Sequence, residues 1–322
     1  MLIEVILVLA GIYAIASLTY VYKFRGNTRY ASINEYLRKG WPIFTPFNCL
    51  LYSFTKPAMR SPILKPEEFA GLQDIKDNWE TIREEALVLH SAQALEKTSD
   101  PNSQSYYDIG FRTFYKYGWR KFYLTWYGHT HASAKRLCPK TVEILNNVPC
   151  VNGAMFTVLP VGSKLTRHLD PVACSLRYHL GLSTPNSDDC FINIDGQQYS
   201  WRDGEDLVFD ETYLHFAKNN SDQDRLILMC DIERPMNFLG KIVNFFYKIV
   251  GRMSLVPNMA GDKRGPISFI FSSLAPIFGK SKEIKKTNPL GYKMLKYTVN
   301  GTLFLIVVGL LWGIFYGLQS LF

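Results

Sequence analysis

The sequence predicts a mainly β core with flanking α-helices and one transmembrane helix at each end of the chain. Short segments that alternate apolar and polar residues follow one another between Ala154 and Glu233, separated by turn-rich pieces such as TPNSDD and RDGED. The stretch from Pro66 to about Cys150 instead has apolar residues at three- and four-residue spacing, which is typical of helices. Both ends of the chain are far more apolar than its middle.

The first predicted element is a transmembrane helix at residues 1–23. The segment Val5–Tyr22 holds no charged side chain, and as a helix it has about the minimum length that crosses ~30 Å of hydrocarbon. A signal peptide fits this segment poorly, because Glu4 is the only early charge and no clear cleavage site precedes Lys23. Residues 24–65 are predicted to form a membrane-proximal region.

The last predicted element is a second transmembrane helix at residues 297–322, a stretch without any charged residue. Basic residues follow the first span and precede the second: Lys23, Arg25 and Arg29, then Lys280, Lys282, Lys285, Lys286, Lys293 and Lys296. Because basic residues concentrate on the cytoplasmic side of membrane proteins, the middle of the chain is predicted to be cytoplasmic.

Between the spans, residues 66–150 are predicted to form a helical flank and residues 151–235 the β core. Seven or eight short strands without a helical insert are typical of a sandwich or a jelly-roll barrel. His129 and His131 form an HxH pair in the aromatic patch WRKFYLTWYGHTH. A structural role for this pair is favoured over metal binding, because no third ligand is evident nearby.

Residues 236–296 are predicted to form amphipathic helices at the membrane interface. Within Met236–Leu255 apolar residues recur at helical spacing, and Lys241, Lys248 and Arg252 fall largely outside that stripe. Such a helix either packs against its own domain or lies in the headgroup plane with its lysines toward phosphates. The sequence leaves both alternatives open.

Composition and charge narrow the class of partner. The 322-residue chain is 47% hydrophobic and carries a net charge of +8, much of it near the apolar ends, which favours anionic lipid headgroups over nucleic acid. The sequence has no zinc-finger or RNA-binding signature. Its six cysteines are scattered without a CxxC pair, which predicts reduced thiols and a cytosolic domain. Nothing in the sequence indicates an oligomeric state.

The motif with the most specific chemistry is His168-Leu169-Asp170, followed 47 residues later by His215. Side chains two residues apart on a strand point to the same face, so His168 and Asp170 can bind one ion together. Two imidazoles and one carboxylate form the facial triad of non-heme Fe(II) oxygenases, which leaves three positions for a bidentate co-substrate and dioxygen. Zinc sites are more often closed and tetrahedral, or use three ligands in a hydrolase. The sequence therefore predicts that His168, Asp170 and His215 are metal ligands and catalytic residues.

Arg225 lies ten residues after His215 and begins the apolar strand RLILMCDIE. A guanidinium at the start of such a strand, near a metal, is well shaped to bind a carboxylate through two parallel hydrogen bonds. The alternative is a surface arginine paired with Asp222 or Asp224. With the triad in place, the carboxylate-binding role is favoured, and 2-oxoglutarate has such a distal carboxylate.

Two stretches carry a resemblance to a known family. HLDPVACSLRYHLGL (His168–Leu182) and FDETYLHFAKNNSDQDRLILMCDIERP (Phe209–Pro235) resemble the aspartyl/asparaginyl β-hydroxylase family, with RxHLGL and H-x9-R as the distinctive parts. The resemblance covers roughly Asn152–Pro235. It implies a double-stranded β-helix fold that uses Fe(II), 2-oxoglutarate and dioxygen.

The same resemblance implies roles for residues near the triad. It places the 2-oxoglutarate distal carboxylate on Arg225, with the hydroxyl of Thr157 beside it. Arg177 and His179 would line the same pocket, and the sequence does not say which of them meets co-substrate and which meets substrate.

The chain departs from the protein-modifying branch of that family at two positions. That branch has glycine where this chain has Asp170, and a second arginine, thought to meet an acidic substrate side chain, where this chain has Ser175. Both differences point away from an aspartate-bearing peptide of the secretory pathway.

With two spans and a cytoplasmic domain, the whole chain is similar to bacterial enzymes that hydroxylate lipid A. This similarity implies 2-hydroxylation of a secondary acyl chain of lipid A, or of a related membrane lipid, at the cytoplasmic face of the bacterial inner membrane. One alternative is a membrane-tethered protein β-hydroxylase, which shares the metal chemistry. The other is a non-catalytic metal- or lipid-binding scaffold.

Overall fold

The computed structural model describes residues 2–97, 100, 103, 108, 117–294 and 297–298. The chain divides into two compact units, Met1–Ser268 and Phe269–Phe322. Apart from residues 297–298, the predicted C-terminal transmembrane helix lies outside the described residues.

The helices flank a β core, as the sequence predicts. In chain order they are α1 (Leu2–Lys23), α2 (Ile33–Lys39), α3 (Thr45–Phe54), α4 (Leu72–Asp77), α5 (Trp79–Ser91), α6 (Ala94–Lys97), α7 (Ala132–Leu137), α8 (Pro139–Asn146), α9 (Phe238–Met253) and α10 (Pro266–Thr287). Short 3-10 helices at Pro42–Phe44, Pro57–Met59 and Pro66–Glu68 each begin with proline, whose fixed φ and missing N–H suit a first helical position.

The strands form two antiparallel sheets. They are β1 (Ile63–Leu64), β2 (Arg120–Trp126), β3 (His129–Thr130), β4 (Val151–Leu159), β5 (Lys164–His168), β6 (Ser175–Ser183), β7 (Cys190–Ile194), β8 (Gln197–Ser200), β9 (Asp206–Phe209), β10 (His215–Asn219) and β11 (Arg225–Glu233). One sheet has seven strands in the order β1-β9-β6-β11-β4-β2-β3, and the other has four in the order β5-β10-β7-β8.

The central strand β11 shows how the layers are arranged. Leu226 and Leu228 belong to an apolar cluster with residues of α5 and α8, so this face of the large sheet is covered by helices. Ile227 and Met229, on the opposite face, pack with Ile192 and other residues of the small sheet. A strand buried on both faces reads as a continuous apolar run, as RLILMCDIE does. The result is a jelly-roll-like, mainly β fold with flanking helices, which confirms this part of the predicted fold class.

Strands also occur outside the segment predicted as the β core. β2 and β3 lie within the predicted helical flank, residues 66–150, and extend the large sheet beyond β4. The sequence does not reveal β2 as a strand because it carries Lys121 in a buried position, where the lysine forms an ion pair with Asp108. A charge at a buried position hides the alternation by which a strand is recognised in sequence.

Helix α1 is long and apolar enough to cross a membrane, judged by length and composition. Its span Glu4–Lys23 has a mean hydropathy of 2.1, and most of its side chains are exposed. On one side α1 packs against α3, where the Tyr13 hydroxyl donates a hydrogen bond to the carbonyl oxygen of Pro46 at 3.0 Å.

The chain leaving α1 is held firmly on the β core. Buried Arg25 donates hydrogen bonds to the carbonyl oxygen of Thr212 at 2.7 Å and to Asp210 Oδ2 at 3.0 Å. The backbone N–H groups of Asn27 and Thr28 donate to the carboxylate of Asp195 at 2.7 and 2.8 Å. These contacts fix the end of α1 to loops that adjoin strand β10.

The six cysteines are free, as predicted. Burial raises the pKa of Cys174 to about 12 and that of Cys190 to about 11, so these thiols stay protonated at neutral pH. Buried, protonated thiols are poorly reactive and pack as small apolar groups.

Candidate metal and co-substrate site

The predicted metal ligands meet where two neighbouring strands of the small sheet end and begin. His168 is the last residue of β5 and His215 the first of β10, and the two are directly paired in the antiparallel register. Their ring centroids lie 4.2 Å apart, and His168 Nε2 is 3.4 Å from Asp170 Oδ1. One donor atom from each of the three residues fits within 4.8 Å of the others. Asp170 lies just beyond the end of β5, not on the strand as the sequence suggested.

The backbone fixes the orientation of both imidazoles. His168 Nδ1 lies 2.8 Å from the carbonyl oxygen of Thr166, and His215 Nδ1 lies 2.9 Å from that of Tyr213. Because a carbonyl oxygen only accepts, each Nδ1 carries the ring proton. The Nε2 lone pairs are therefore available to a metal, in the arrangement that metal-binding histidines commonly show.

Electrostatics also favour the protonation states that bind metal. Burial lowers the pKa of His215 to about 3, so this ring is neutral near pH 7. Burial by itself would raise the pKa of Asp170, but the electrostatic effect of its neighbours, with the Arg177 guanidinium among them, lowers it below its usual range. A neutral imidazole and an ionised carboxylate are the forms that ligate a cation.

Arg177 holds the second oxygen of Asp170 and two further carboxylates. Its Nη2 donates to Asp170 Oδ2 at 3.2 Å, its Nε donates to Glu211 Oε2 at 2.7 Å, and its Nη1 donates to Asp231 Oδ1. Ser175 Oγ donates to the other oxygen of Glu211 at 3.0 Å. All three nitrogen atoms of the guanidinium thus donate hydrogen bonds to carboxylates of the chain itself.

Three carboxylates around one arginine carry an excess of negative charge. Burial raises the pKa of Glu211 well above its usual value, and the neighbouring charges of Asp170 and Asp231 raise it further against the opposing effect of Arg177. Burial likewise raises the pKa of Asp231. The cluster therefore favours retention of a proton on this pair, which lowers its net charge.

Arg225 has the opposite environment. It is fully buried, yet Nε, Nη1 and Nη2 have no hydrogen-bond partner among the described residues. Its Cζ lies 4.4 Å from the ring centroid of Trp201 and 5.2 Å from that of Trp119. Burial lowers its pKa to about 10, so it stays charged at neutral pH. Buried cations are normally paired, because an unpaired one costs several kcal/mol.

Two more buried donors without an acceptor lie on the strands flanking β11. Thr157 of β4 pairs with Ile227, and His179 of β6 pairs with Met229. The Thr157 hydroxyl and His179 Nε2 have no partner among the described residues. Trp201 Nε1 donates to His179 Nδ1 at 3.3 Å, which leaves the proton of the neutral ring on Nε2. Burial, with the charges of Arg225 and Arg177, lowers the pKa of His179 and keeps it neutral.

The residues fit the metal and co-substrate that the sequence implies. Two Nε2 atoms and a carboxylate oxygen are a suitable donor set for Fe(II). The unpartnered donors of Arg225, Thr157 and His179 are suited to a carboxylate. Of the four residues predicted for the co-substrate, Arg177 is the one engaged by acids of the chain itself.

The HxH pair lies away from the triad. His131 is fully buried, stacks on Tyr123 and lies 3.8 Å from Asp262, which is a structural environment. Within the part of the chain that the structure describes, the group of His, Cys, Asp or Glu close enough to share one ion is the triad.

The acids around Arg177 and the indoles around Arg225 are site residues that no sequence motif indicated. Glu211 stands four residues before His215, and Asp231 lies inside an apolar strand where its charge is anomalous. A charge within a buried strand was the signal available for Asp231.

Comparison with known proteins confirms the resemblance found in the sequence. Residues 76–235, about half of the chain, match the family model described as aspartyl/asparaginyl beta-hydroxylase. An ornithine lipid ester-linked acyl 2-hydroxylase from Rhizobium tropici is 29% identical over 185 residues, which cover 57% of this chain and 64% of that protein. The human aspartyl/asparaginyl beta-hydroxylase is 28% identical over 170 residues, covering 51% of this chain and 21% of that protein. The chain thus spans less than two thirds of the length of either relative.

Among solved structures, a prolyl-4-hydroxylase from Pseudomonas putida is similar at 15% identity with a TM-score of 0.32. The similarity covers 49% of this chain and 88% of that one.

Proposed function

Because residues 76–235 belong to the aspartyl/asparaginyl β-hydroxylase family, we propose that this protein is an Fe(II)- and 2-oxoglutarate-dependent dioxygenase that hydroxylates an acyl chain of a membrane lipid. The observation that carries the proposal is a donor triad for a metal together with the buried guanidinium of Arg225, which has no acceptor among the described residues. A buried cation of this kind is stable in the working enzyme when an anionic ligand completes it.

In this proposal His168, Asp170 and His215 hold Fe(II). The carbonyl oxygens behind the two imidazoles keep each Nε2 directed at the metal. Arg177 donates to Asp170 Oδ2 and so fixes the orientation of this carboxylate, of which Oδ1 would be the oxygen available to hold the metal.

Arg225, Thr157 and His179 hold the distal carboxylate of 2-oxoglutarate. The guanidinium offers two parallel donors, while the hydroxyl and the His179 Nε2–H each supply one more. Trp201 and Trp119 flank the guanidinium and exclude water from the ion pair, which strengthens it.

When bound, iron and 2-oxoglutarate together supply the power to reduce dioxygen, with one oxygen atom entering a substrate C–H bond and the other entering succinate as carbon dioxide is released. The chain itself contributes position and electrostatics. Phe209 lies against His215 and His179, with ring centroids 5.8 and 5.1 Å away, and gives both imidazoles an apolar neighbour.

Two observations favour a lipid over an acidic peptide as substrate. Arg177 is engaged by three carboxylates, and Ser175, which stands where the protein-modifying branch has an arginine, is bound to Glu211. Neither position offers a free cation for an aspartate side chain. The apolar helix α1 and the relative named as a lipid acyl 2-hydroxylase also support a lipid.

The specific reaction we propose is 2-hydroxylation of a secondary acyl chain of lipid A. It would take place at the cytoplasmic face of the bacterial inner membrane, with α1 and the predicted second span, residues 297–322, as anchors. A related membrane lipid such as ornithine lipid is the nearest alternative substrate.

The test is mass spectrometry of lipids from cells with the gene, without it, and with His168→Ala. The proposal predicts that one acyl chain of lipid A gains the mass of one oxygen atom, and that the gain is lost with His168→Ala. Val88→Ser, a change of an exposed side chain on α5, is the matched control and should keep the gain.

Other outcomes separate the alternatives. A gain on ornithine lipid alone would retain the lipid hydroxylase and reject lipid A. A purified enzyme that oxidises 2-oxoglutarate with peptides but with no lipid would point to the protein hydroxylase. The same lipid product from the His168→Ala variant would reject the metal site.

A further inference from the structure

Helix α9 presents an unusually apolar face to solvent. Eight large apolar side chains on this 16-residue helix are exposed: Phe238, Leu239, Ile242, Phe245, Phe246, Ile249, Val250 and Met253. The exposed cations Lys241 and Arg252 interrupt this face, and no carboxylate pairs with either among the described residues. An exposed apolar patch of this size marks an interaction surface.

The rest of the unit contacts α9 along one narrow side only. A Cβ on Gly240 would lie 2.5 Å from the Met236 side chain, and one on Gly251 would lie 2.7 Å from the Tyr127 ring. These two glycines therefore let the helix approach the β core closely. The alternative that the apolar stripe of this helix packs against its own domain is not what the structure shows.

A basic cavity of about 330 Å³ opens at the C-terminal end of α9. Arg252, Lys263, Arg264 and His129 line it together with the apolar side chains of Ile249 and Met253. Arg252 and Lys263 have no acidic partner among the described residues, and His129 Nε2 has no hydrogen-bond partner there. The helix C-terminus carries partial negative charge, which favours cations at this position but does not neutralise them.

Asp262, the acid next to Lys263 in the chain, is hydrogen-bonded to other residues. Asp262 Oδ1 and Oδ2 accept hydrogen bonds from Ser133 N and Oγ at 2.8 and 2.6 Å, and Oδ2 also accepts from Asn258 N at 3.1 Å. The charges of Arg252 and Lys263 are thus left for an external anion.

We propose that the exposed face of α9 lies in the headgroup region of a bilayer and that the basic cavity binds the phosphate of an anionic lipid. An amphipathic helix with bulky apolar residues and interspersed cations is suited to this position. The cavity combines phosphate-binding cations with Ile249 and Met253, which also belong to the exposed apolar face. A phospholipid has both a phosphate for the cations and acyl chains that can contact the apolar side chains. A free phosphate would contact the cations alone.

The position of α9 beside the membrane helix supports a bilayer as the occupant. α1 packs against α3, and α3 packs against α9. Leu51 of α3 and Met236, just before α9, belong to one buried cluster with Ala173 and Cys174, so both helices lie on the same part of the β core. Phe47 and Leu50 of α3 are exposed, which extends the apolar face toward α1.

The phosphate site is tested by amide hydrogen exchange of the full chain in nanodiscs. The discs contain phosphatidylcholine alone or with a minority of phosphatidylglycerol, and peptides within residues 249–266 are followed. Exchange should slow on the order of tenfold in the anionic discs, because cations near an anionic surface are attracted to it. Arg252→Gln with Lys263→Gln should abolish this slowing.

The matched control is Lys140→Gln with Lys218→Gln, which removes the same charge from exposed positions outside α9 and outside the cavity. This variant should keep the slowing. Equal exchange in both discs, or slowing that persists without Arg252 and Lys263, would overturn the site. Equal slowing by inorganic phosphate in detergent would identify free phosphate and reject the lipid. Since the measurement needs no iron and no turnover, it is independent of the proposed reaction.

The apolar face is tested by quenching with brominated lipids, which act on indoles near acyl chains. Phe246→Trp on α9 should give fluorescence that brominated phosphatidylcholine quenches. Val88→Trp places an indole at an equally exposed position on α5 and should not be quenched. Equal quenching of the two, or none of Phe246→Trp, would contradict membrane contact by α9.

Discussion

Arg177 and Arg225 lie on neighbouring strands of one sheet and have opposite surroundings. Arg177 contacts Asp170, Glu211 and Asp231, whereas Arg225 has no acceptor among the described residues. Arg225 is fully buried, and Arg177 is half-buried in the same β core. The comparison separates a guanidinium that the fold needs from one that the fold leaves ready for a ligand.

The difference in pairing between the two arginines shows where a ligand-binding residue lowers the stability of the ligand-free fold. Removal of a paired cation from the core leaves its carboxylate partners unpaired and destabilises the fold. An unpaired buried cation instead lowers the stability of the protein until an anionic ligand binds it. The two arginines should therefore respond oppositely to replacement by neutral side chains.

The largest expected effect is on Arg177→Gln. Three carboxylates, of which Glu211 and Asp231 are buried, would lose their cation, so the free energy of unfolding should fall by about 3–5 kcal/mol. Because Asp170 would also lose its Oδ2 donor, Fe(II) affinity should fall about 10- to 100-fold. Denaturant unfolding and anaerobic metal titration measure the two effects. Arg202→Gln, whose partner Asp188 is exposed, is the control and should stay within about 0.5 kcal/mol of wild type.

Asp210 offers the inverse arrangement, one buried carboxylate between two arginines. It lies 3.0 Å from Arg25 and 2.8 Å from Arg234. Burial alone would raise its pKa, but these two charges lower it below the usual range. Asp210→Asn should cost about 3 kcal/mol of unfolding free energy at neutral pH.

That cost should depend on pH with a definite sign. The folded pKa of Asp210 is lowered, so its contribution is present above the unfolded value of about 3.9 and is lost as the pH falls through the folded value. The stability difference between wild type and Asp210→Asn should therefore shrink in acid below about pH 4. A difference that stays constant from neutral to acid pH would show that the ion pairs contribute nothing.

Arg225→Met should have the opposite effect on stability from Arg177→Gln. Replacing a buried, unpaired cation by an apolar side chain of similar length should leave the stability of the ligand-free protein unchanged or raise it by about 1–4 kcal/mol. Thermal or denaturant unfolding without 2-oxoglutarate measures it. Destabilisation comparable to that of Arg177→Gln would mean that Arg225 already has a partner in the folded chain.

The smallest expected effect is on Thr157→Val, which removes one hydroxyl donor beside Arg225. A hydrogen bond to a charged group contributes about 1.5 kcal/mol, so the dissociation constant of 2-oxoglutarate should rise about tenfold. Thr157→Ser keeps the hydroxyl and should bind as wild type does. Equal affinities for the Val and Ser variants would remove Thr157 from the site.

Local sequence signals were enough to predict much of this molecule. The apolar run after Arg225 follows from strand periodicity, and the strand RLILMCDIE has the predicted bounds. Strand periodicity also predicted that His168 and Asp170 share a face, but Asp170 lies beyond the end of β5. The family resemblance supplied the link between His215 and Arg225, which spacing alone leaves weak.

The rest depends on contacts that are distant in sequence. Arg177 donates hydrogen bonds to Glu211 and Asp231, which lie 34 and 54 residues away in the sequence. No local sequence pattern around these three residues predicts the contacts. Strand β2 was not recognised in the sequence because Lys121 interrupts its apolar pattern. The charge of this buried lysine is balanced by Asp108, which lies outside the strand. The stripe on α9 was visible, but whether it faces the core or solvent is decided by tertiary packing.

The most direct test of the central claim is the binding of 2-oxoglutarate to the Fe(II)-loaded protein without oxygen. Tryptophan fluorescence is a suitable signal, because Trp201 lies 4.4 Å from the Arg225 guanidinium. Removing one partner of a buried charged pair costs at least about 2 kcal/mol, so Arg225→Gln should raise the dissociation constant by about 30-fold or more. An Arg225→Gln dissociation constant equal to that of the wild type would contradict the assignment of this buried guanidinium to the co-substrate.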